Sequence, residues 1–429
     1  MRVLQINSVC GYGSTGRIVT DLYDVLEKEG HECCIAYGRG IAPDGYNVIK
    51  ISNKIDFYSH VLKTRLFDLH GFGSTRETKK FIKKIEEFNP DIIHIHNIHG
   101  YYLNIQKLFK YLDTSGIPIV WLLHDQWPFS GHSAYFDVES DGSIPIKNIS
   151  NIQKRDYPQS WIIDNSGKNY QKKKNIFTKI GNITIVTPSN WLLKLTEKSF
   201  LSIYSGRVIN NGIDLDIFKP TESDFKKKNN LLDKKIILGI ANVWEERKGI
   251  HYFEMLAERL TDEYQVVLIG VDNKTKKTLN KKIISIQRTS NTQELAEIYS
   301  SADIFVNPTL EDNFPTTNIE SLACGTPVIT FNTGGSPEAI DEKTGIVVEK
   351  GNSEELYMAI LKISDYNFSS EEIAFFRMIG GFIAISIYGK LTMPTMFKIT
   401  KKGILYVLGI GIVCQLVFNI SYMSSISMV

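Results

Sequence analysis

An α/β fold of two parallel-sheet, Rossmann-like domains facing an interdomain cleft is predicted by three observations. Short apolar strands alternate with amphipathic helices along most of the chain. That rhythm breaks in a polar, lysine-rich stretch over residues 219–235 and then restarts. The length, 429 residues, exceeds what one core of ordinary size accommodates.

In the first cycle, residues 3–7, 32–37, 91–96, 118–124, 184–188 and 207–210 read as strands, and residues 16–29 as a helix. The second cycle predicts strands over 236–243, 265–271, 283–287, 304–308 and 328–332, with helices over 249–260, 292–300 and 315–323. Asn291, with Glu294 three residues later, forms a capping-box pattern that sets one helix start. The expected domains are 1–206 and 207–365. Two such sheets place ligands at the carboxyl ends of their strands, hence in the cleft.

Residues 366–429 form an atypical apolar tail. No charged residue follows Lys402, and 404–418 is almost wholly apolar, so 403–420 reads as a possible membrane segment. Lys398, Lys401 and Lys402 precede it on what would be the cytoplasmic side. The stretch also reads like the beginning of a separate membrane protein, so an anchor and a fusion are both compatible with it.

Hydrophobic residues at 43% and charged residues at 22% exclude a disordered or fully membrane-embedded chain. A net charge of +2 gives no basis for a nucleic-acid partner. Lysine clusters at 79–84, 172–174 and 226–228 read as solvated helix faces, with attraction to anionic lipid or phosphate as the functional alternative. Cys10, Cys33, Cys34, Cys324 and Cys414 are an odd set without paired or metal-ligand spacing, which fits a reducing cytoplasm. Residues 1–7 read as a strand, with no basic region or cleavage site of a leader.

Gly11, Gly13 and Gly16, with Ser14 between, follow the first strand and open a helix, where backbone amides can approach an anion. Alone this spells a dinucleotide fingerprint. The second strand, however, ends in Tyr37, Gly38 and Arg39 with no acid for a ribose, so NAD is disfavoured; an NADP-dependent oxidoreductase or epimerase using Arg39 is the alternative. Arg247 and Lys248 precede the first helix of the second domain, where a leaving diphosphate needs cationic neutralisation. In the block 310–328, a strand ends near Asp312, a helix begins at Pro315 and Glu320 lies on it. Proline at the first helical position leaves free N–H groups aimed at the cleft, so Asn313, Phe314, Pro315 and Thr316 are phosphate-side candidates.

Two patterns imitate metal sites. Asp214 and Asp216 flank one residue at the hinge, and His94, His96 and His99 cluster at a strand end, with His94 and His96 on one face of the strand. A turn, and a histidine pair lining the cleft or core, are the better readings, so no metal is expected.

The block from Asp312 through Glu320 to Gly325, Pro327 and Val328 resembles the donor motif of glycosyltransferase family 4: an acid, seven residues, a glutamate, then a Gly-x-Pro-Val strand entry. The resemblance spans residues 1–362. It includes Asn211 to Asp214 at the interdomain junction, Thr187 to Trp191 at the last first-domain strand, and Leu123 to His132, which is similar to bacterial exopolysaccharide and O-antigen enzymes.

This resemblance implies a GT-B fold and a retaining transfer of sugar from a nucleotide-diphosphate sugar to a lipid-linked saccharide, at the cytoplasmic face of the inner membrane. It implies Glu320 on the donor ribose, Asp312 near the sugar hydroxyls in place of the more usual glutamate, Lys248 on the pyrophosphate and His124 on the donor sugar. Where the family has an arginine a few residues upstream of the lysine, this chain has none, and Arg247 is the candidate replacement. Gly13 and Gly16 fall where the family's first loop meets phosphates and acceptor. The family's closing helix has no match after residue 364, so a catalytically impaired, membrane-attached remnant is the second reading.

Overall fold

The computed structural model describes residues 1–136 and 157–365; the expectations placed on 366–429 lie outside them. Strands β1 (Arg2–Asn7), β2 (Glu32–Tyr37), β3 (Val48–Lys50), β4 (Ile92–Ile95), β5 (Ile119–Leu122), β6 (Ile183–Thr187) and β7 (Gly206–Val208) form a parallel sheet in the order β3-β2-β1-β4-β5-β6-β7. A second parallel sheet comprises β8 (Lys235–Ile240), β9 (Tyr264–Ile269), β10 (Ile284–Ile286), β11 (Ile304–Asn307), β12 (Val328–Phe331) and β13 (Gly345–Val348), ordered β10-β9-β8-β11-β12-β13. Both are doubly wound, and the chain reverses direction beside β1 and β4 in one sheet and beside β8 and β11 in the other. Crevices open at these two switch points.

The central strands are nearly continuous apolar runs because helices cover both sheet faces. Beneath β5, Trp121 packs between Phe109 and Phe177, with ring centroids 5.4 and 4.9 Å away. This cluster fixes the strand that delivers His124. Among the described residues no helix is long and apolar enough to cross a membrane.

Several boundaries differ from expectation by a residue or two. Pro315 is an extended residue that caps the helix Thr316–Ala323 rather than its first member. Asn291 accepts from the Glu294 N–H at 2.8 Å as expected, but the Glu294 carboxylate returns to the N–H of Ser290, at 2.6 Å. Strands β3 and β13 and the helix Lys54–Phe67 carry weaker signals and were not anticipated, whereas the lysines at 79–84 do lie on a helix, Thr75–Phe88.

Candidate active site

Four loops converge from the two switch points. From β1, the glycine loop enters the helix Gly13–Lys28; Gly13 has φ +65°, and a Cβ there would face the Asn242 side chain of the other lobe at 3.8 Å. Gly16 packs so closely on the β1 end that a Cβ would sit 3.2 Å from the Gly11 nitrogen. Ser14 is exposed on the first turn. From β8, a short turn Glu246–Lys248 presents Arg247 and Lys248 and ends at Gly249, whose φ of +71° and contact with the Pro308 carbonyl exclude any side chain.

Lys248 Nζ donates to Asp312 Oδ2 at 2.5 Å. Burial pushes the Lys248 ammonium below its ordinary value, and Asp312 opposes that. Burial would raise Asp312, but Lys248 and Arg247 outweigh it and hold the carboxyl below its usual range. Asp312 is therefore ionised at neutral pH. Arg247 donates to the Glu311 carbonyl at 2.8 Å, and its guanidinium stands 4.5 Å from the ring centroid of Tyr135, in the first lobe.

Glu320 is 1% exposed, on the helix that begins at Thr316. One carboxylate oxygen accepts from Arg17 at 2.8 Å and the other from the Tyr299 hydroxyl at 3.1 Å. The Asn313 amide donates to the His124 carbonyl, while Asn313 Oδ1 is buried without a partner. Phe314 is buried, and its carbonyl accepts from Asn211 at 3.1 Å. Thr316 is buried at the helix start.

His124 follows β5, and its ring is held neutral, at about 4, chiefly by burial, against the opposing charge of Asp125. The loop beyond it is fixed by an unusually polar interior. Asp125 joins His99 at 2.6 Å and accepts from the Trp127 N–H at 3.0 Å, and His132 meets Asp68 at 2.5 Å. Lys173, 1% exposed, donates to the carbonyls of Trp127 and Ser130 at 2.7 and 3.2 Å and lies 3.4 Å from the Trp127 ring centroid. That network places Tyr135 over Arg247.

His124, Lys248, Asp312, Arg247 and Asn313 thus fall on facing loops, with Glu320 on the adjoining helix and the glycine loop opposite. Asp214 instead accepts from the Asp216 N–H at 2.8 Å in a turn. His94 and His96 lie side by side, ring centroids 4.1 Å apart, whereas His99 belongs to the Asp125 network. Arg17, Tyr135, Tyr299 and Glu338 were not singled out from sequence. Arg17 directly follows the glycine loop and was the one legible signal; Glu338, which takes the N–H groups of Asn190 and Trp191 at 2.7 and 2.8 Å across the lobes, had none.

A family model described as Glycosyltransferase Family 4 matches residues 15–217, and one described as Glycosyl transferases group 1 matches residues 234–365. The chain is 23% identical over 385 residues to the putative colanic acid biosynthesis glycosyl transferase WcaC of Escherichia coli K12, covering 85% of this chain and 90% of that one. It is 30% identical over 156 residues to the N,N'-diacetylbacillosaminyl-diphospho-undecaprenol alpha-1,3-N-acetylgalactosaminyltransferase of Campylobacter jejuni, spanning 34% of this chain but only 41% of that enzyme. Among solved structures, Anabaena Alr3699/HepE in complex with UDP-glucose superposes with a TM-score of 0.58 at 14% identity, covering 87% of this chain and 92% of that one. This last likeness concerns the fold alone, which is GT-B.

Proposed function

The chain belongs to glycosyltransferase family 4, and from that premise we propose a retaining transfer of sugar from a nucleotide-diphosphate donor to a lipid-linked saccharide during assembly of a bacterial surface polysaccharide. The observation that carries this reading is the ion pair of Lys248 with Asp312, beside Arg247, at the switch point of the second sheet and facing His124 of the first. The colanic acid and undecaprenol-linked relatives support the acceptor class, and the UDP-glucose complex of the structural neighbour supports the donor class.

In this reading Lys248, Arg247 and the backbone N–H groups of Phe314 and Thr316 stabilise the charge that gathers on the diphosphate as the sugar leaves, with Asn313 and Pro315 shaping the turn that presents them. Gly13, Ser14 and Gly16 bring backbone close to phosphate and acceptor, Glu320 holds the ribose, and Asp312 and His124 meet the sugar. The acceptor attacks on the face the nucleotide leaves, and the departing phosphate takes its proton. No protein nucleophile, metal or cofactor is required, and no nucleic acid is involved.

We place the acceptor side at the cytoplasmic face of the inner membrane. Ile55, Tyr58 and Leu62 leave one face of the helix Lys54–Phe67 exposed, next to Phe67, Trp161 and Ile162. Lys54, Lys63 and Arg65 flank that patch, the Arg65 guanidinium lying 4.7 Å from the Trp161 ring centroid. An apolar face rimmed by cations suits an anionic bilayer.

The test is thermal stabilisation of the purified chain by a panel of UDP-, GDP- and dTDP-sugars, followed by transfer assays with the best donor. Stabilisation by one base class is expected; indifference to the whole panel would overturn the assignment.

A further inference from the structure

A chain of hydrogen bonds behind His124 determines which of its ring nitrogens carries the proton. It begins at the fully buried Gln5 of β1, whose side-chain amide nitrogen donates to the Val19 carbonyl at 3.0 Å. A carbonyl only accepts, so the Gln5 amide cannot be turned round, and its oxygen is the atom that faces His96 Nε2 at 3.2 Å. An amide oxygen has no proton to give. His96 Nε2 therefore bears the hydrogen of that bond.

His96 is 1% exposed at the end of β4, its backbone N–H tied to the Ile6 carbonyl at 2.9 Å. Burial and the neighbouring His94 and His124 keep its ring neutral at physiological pH. A neutral imidazole with its proton on Nε2 has a bare lone pair on Nδ1. That nitrogen faces His124 Nε2 at 3.0 Å, so His124 donates there. His124 is in turn neutral, and its Nδ1, which has no hydrogen-bond partner among the described residues, is left as an acceptor on a half-buried side chain.

We propose that Gln5 and His96 are positioning residues that hold His124 in its Nε2–H form, so that the ring offers the donor sugar a hydrogen-bond acceptor and never a donor. The inference rests on the reading of His124 as a donor-sugar contact. It also has a consequence for selectivity: a sugar presenting a hydroxyl or amide N–H to His124 is held, whereas one presenting a carboxylate sets its own lone pair against that of Nδ1 and is disfavoured.

Replacing Gln5 by Leu removes the amide oxygen that fixes His96. His96 then gains no penalty for carrying its proton on Nδ1, and His124 becomes free to invert. Gln5 touches none of the groups placed on the diphosphate, neither Lys248 and Arg247 nor Gly13, Ser14 and Gly16; its tie to the first helix is the Val19 carbonyl, beyond the glycine loop.

The experiment is nitrogen-15 NMR of the histidine side chains in the full chain at neutral pH, assigned by comparison with His124→Phe. The wild type is expected to show a protonated Nε2 and a pyridine-like Nδ1 at His124. Gln5→Leu is expected to move both signals toward a tautomer mixture and to lower kcat/KM for the best nucleotide sugar roughly tenfold, the worth of one mispaired hydrogen bond. Thermal stabilisation by the corresponding nucleoside diphosphate, which lacks the sugar, should be unchanged in that variant and reports an intact fold. A wild-type His124 protonated on Nδ1, or signals unmoved by Gln5→Leu, would overturn the relay. Normal turnover by His124→Phe would instead overturn the sugar contact and leave the tautomer measurement standing.

Discussion

Arg17, on the first helix, and Glu320, in the second lobe, meet across the cleft at 2.8 Å, and with the Tyr299 hydroxyl they occupy both oxygens of the carboxylate proposed to hold a ribose. With Glu320 only 1% exposed, the expectation is that a nucleotide reaches it by displacing Arg17, so that the ion pair joining the lobes competes with the donor.

Two substitutions separate these roles. Glu320→Gln loses a charged acceptor for the ribose hydroxyls and should weaken nucleoside diphosphate binding roughly tenfold, about 1.4 kcal/mol. Arg17→Met removes the competitor and should leave that affinity equal or a few-fold tighter, as read by calorimetric titration. If Arg17→Met weakens binding as much as Glu320→Gln does, Arg17 is itself a ligand of the nucleotide and the competition does not exist.

Acid should destabilise the chain well before carboxylates of ordinary pKa protonate. Burial depresses His60 to about 3 and His94 and His124 to about 4, and holds His70 and His96 well below their ordinary value. Unfolded histidines titrate near 6.5. As pH falls through the window below that value, the unfolded state binds protons the native state excludes, so stability is intact above it and is lost toward the folded values. Going from about pH 7.5 to about pH 5.5 costs ~1.4 kcal/mol per histidine, several kcal/mol in sum. Asp21, raised by burial to about 6, gains a native proton in the same window and offsets a small part. Urea midpoints at the two pH values check this; equal midpoints would refute it.

Membrane association should depend on the patch around the helix Lys54–Phe67. Co-sedimentation of the full chain with vesicles containing anionic phospholipid is expected to fall with added salt and to fall sharply in Leu62→Asp, Trp161→Asp, because a charge replaces an inserted side chain on each of two neighbouring segments. Undiminished sedimentation by that double variant would exclude the patch as the docking face.

The two parallel sheets were legible because fully covered strands such as 236–240 and 304–307 are unbroken apolar runs, and because glycine and proline punctuate their ends; the order of the strands within each sheet was not. Strands β3 and β13 escaped for the converse reason: each is three or four residues, half exposed at a sheet edge, with no pattern longer than a turn. The Asp312 to Glu320 block was legible as a unit since its spacing is local. Its partners were not. The contacts of Glu320 with Arg17, of Arg247 with Tyr135 and of His96 with Gln5 join residues 303, 112 and 91 positions apart. Periodicity carries no information about such pairs. The polar core around Lys173 was likewise hidden, since a lysine triplet at 172–174 reads as solvated until the fold buries its middle member.

The central claim is that the cations of the second lobe hold the leaving diphosphate. It is tested most directly by the transfer rate of Lys248→Ala with the donor selected from the nucleotide-sugar panel, at saturating donor and with the fold verified by thermal unfolding. Loss of a preorganised charge beside the leaving group predicts a fall in kcat on the order of a hundredfold or more. A folded Lys248→Ala protein that transfers sugar within about threefold of the wild-type rate, a difference of under 1 kcal/mol in barrier, would contradict it.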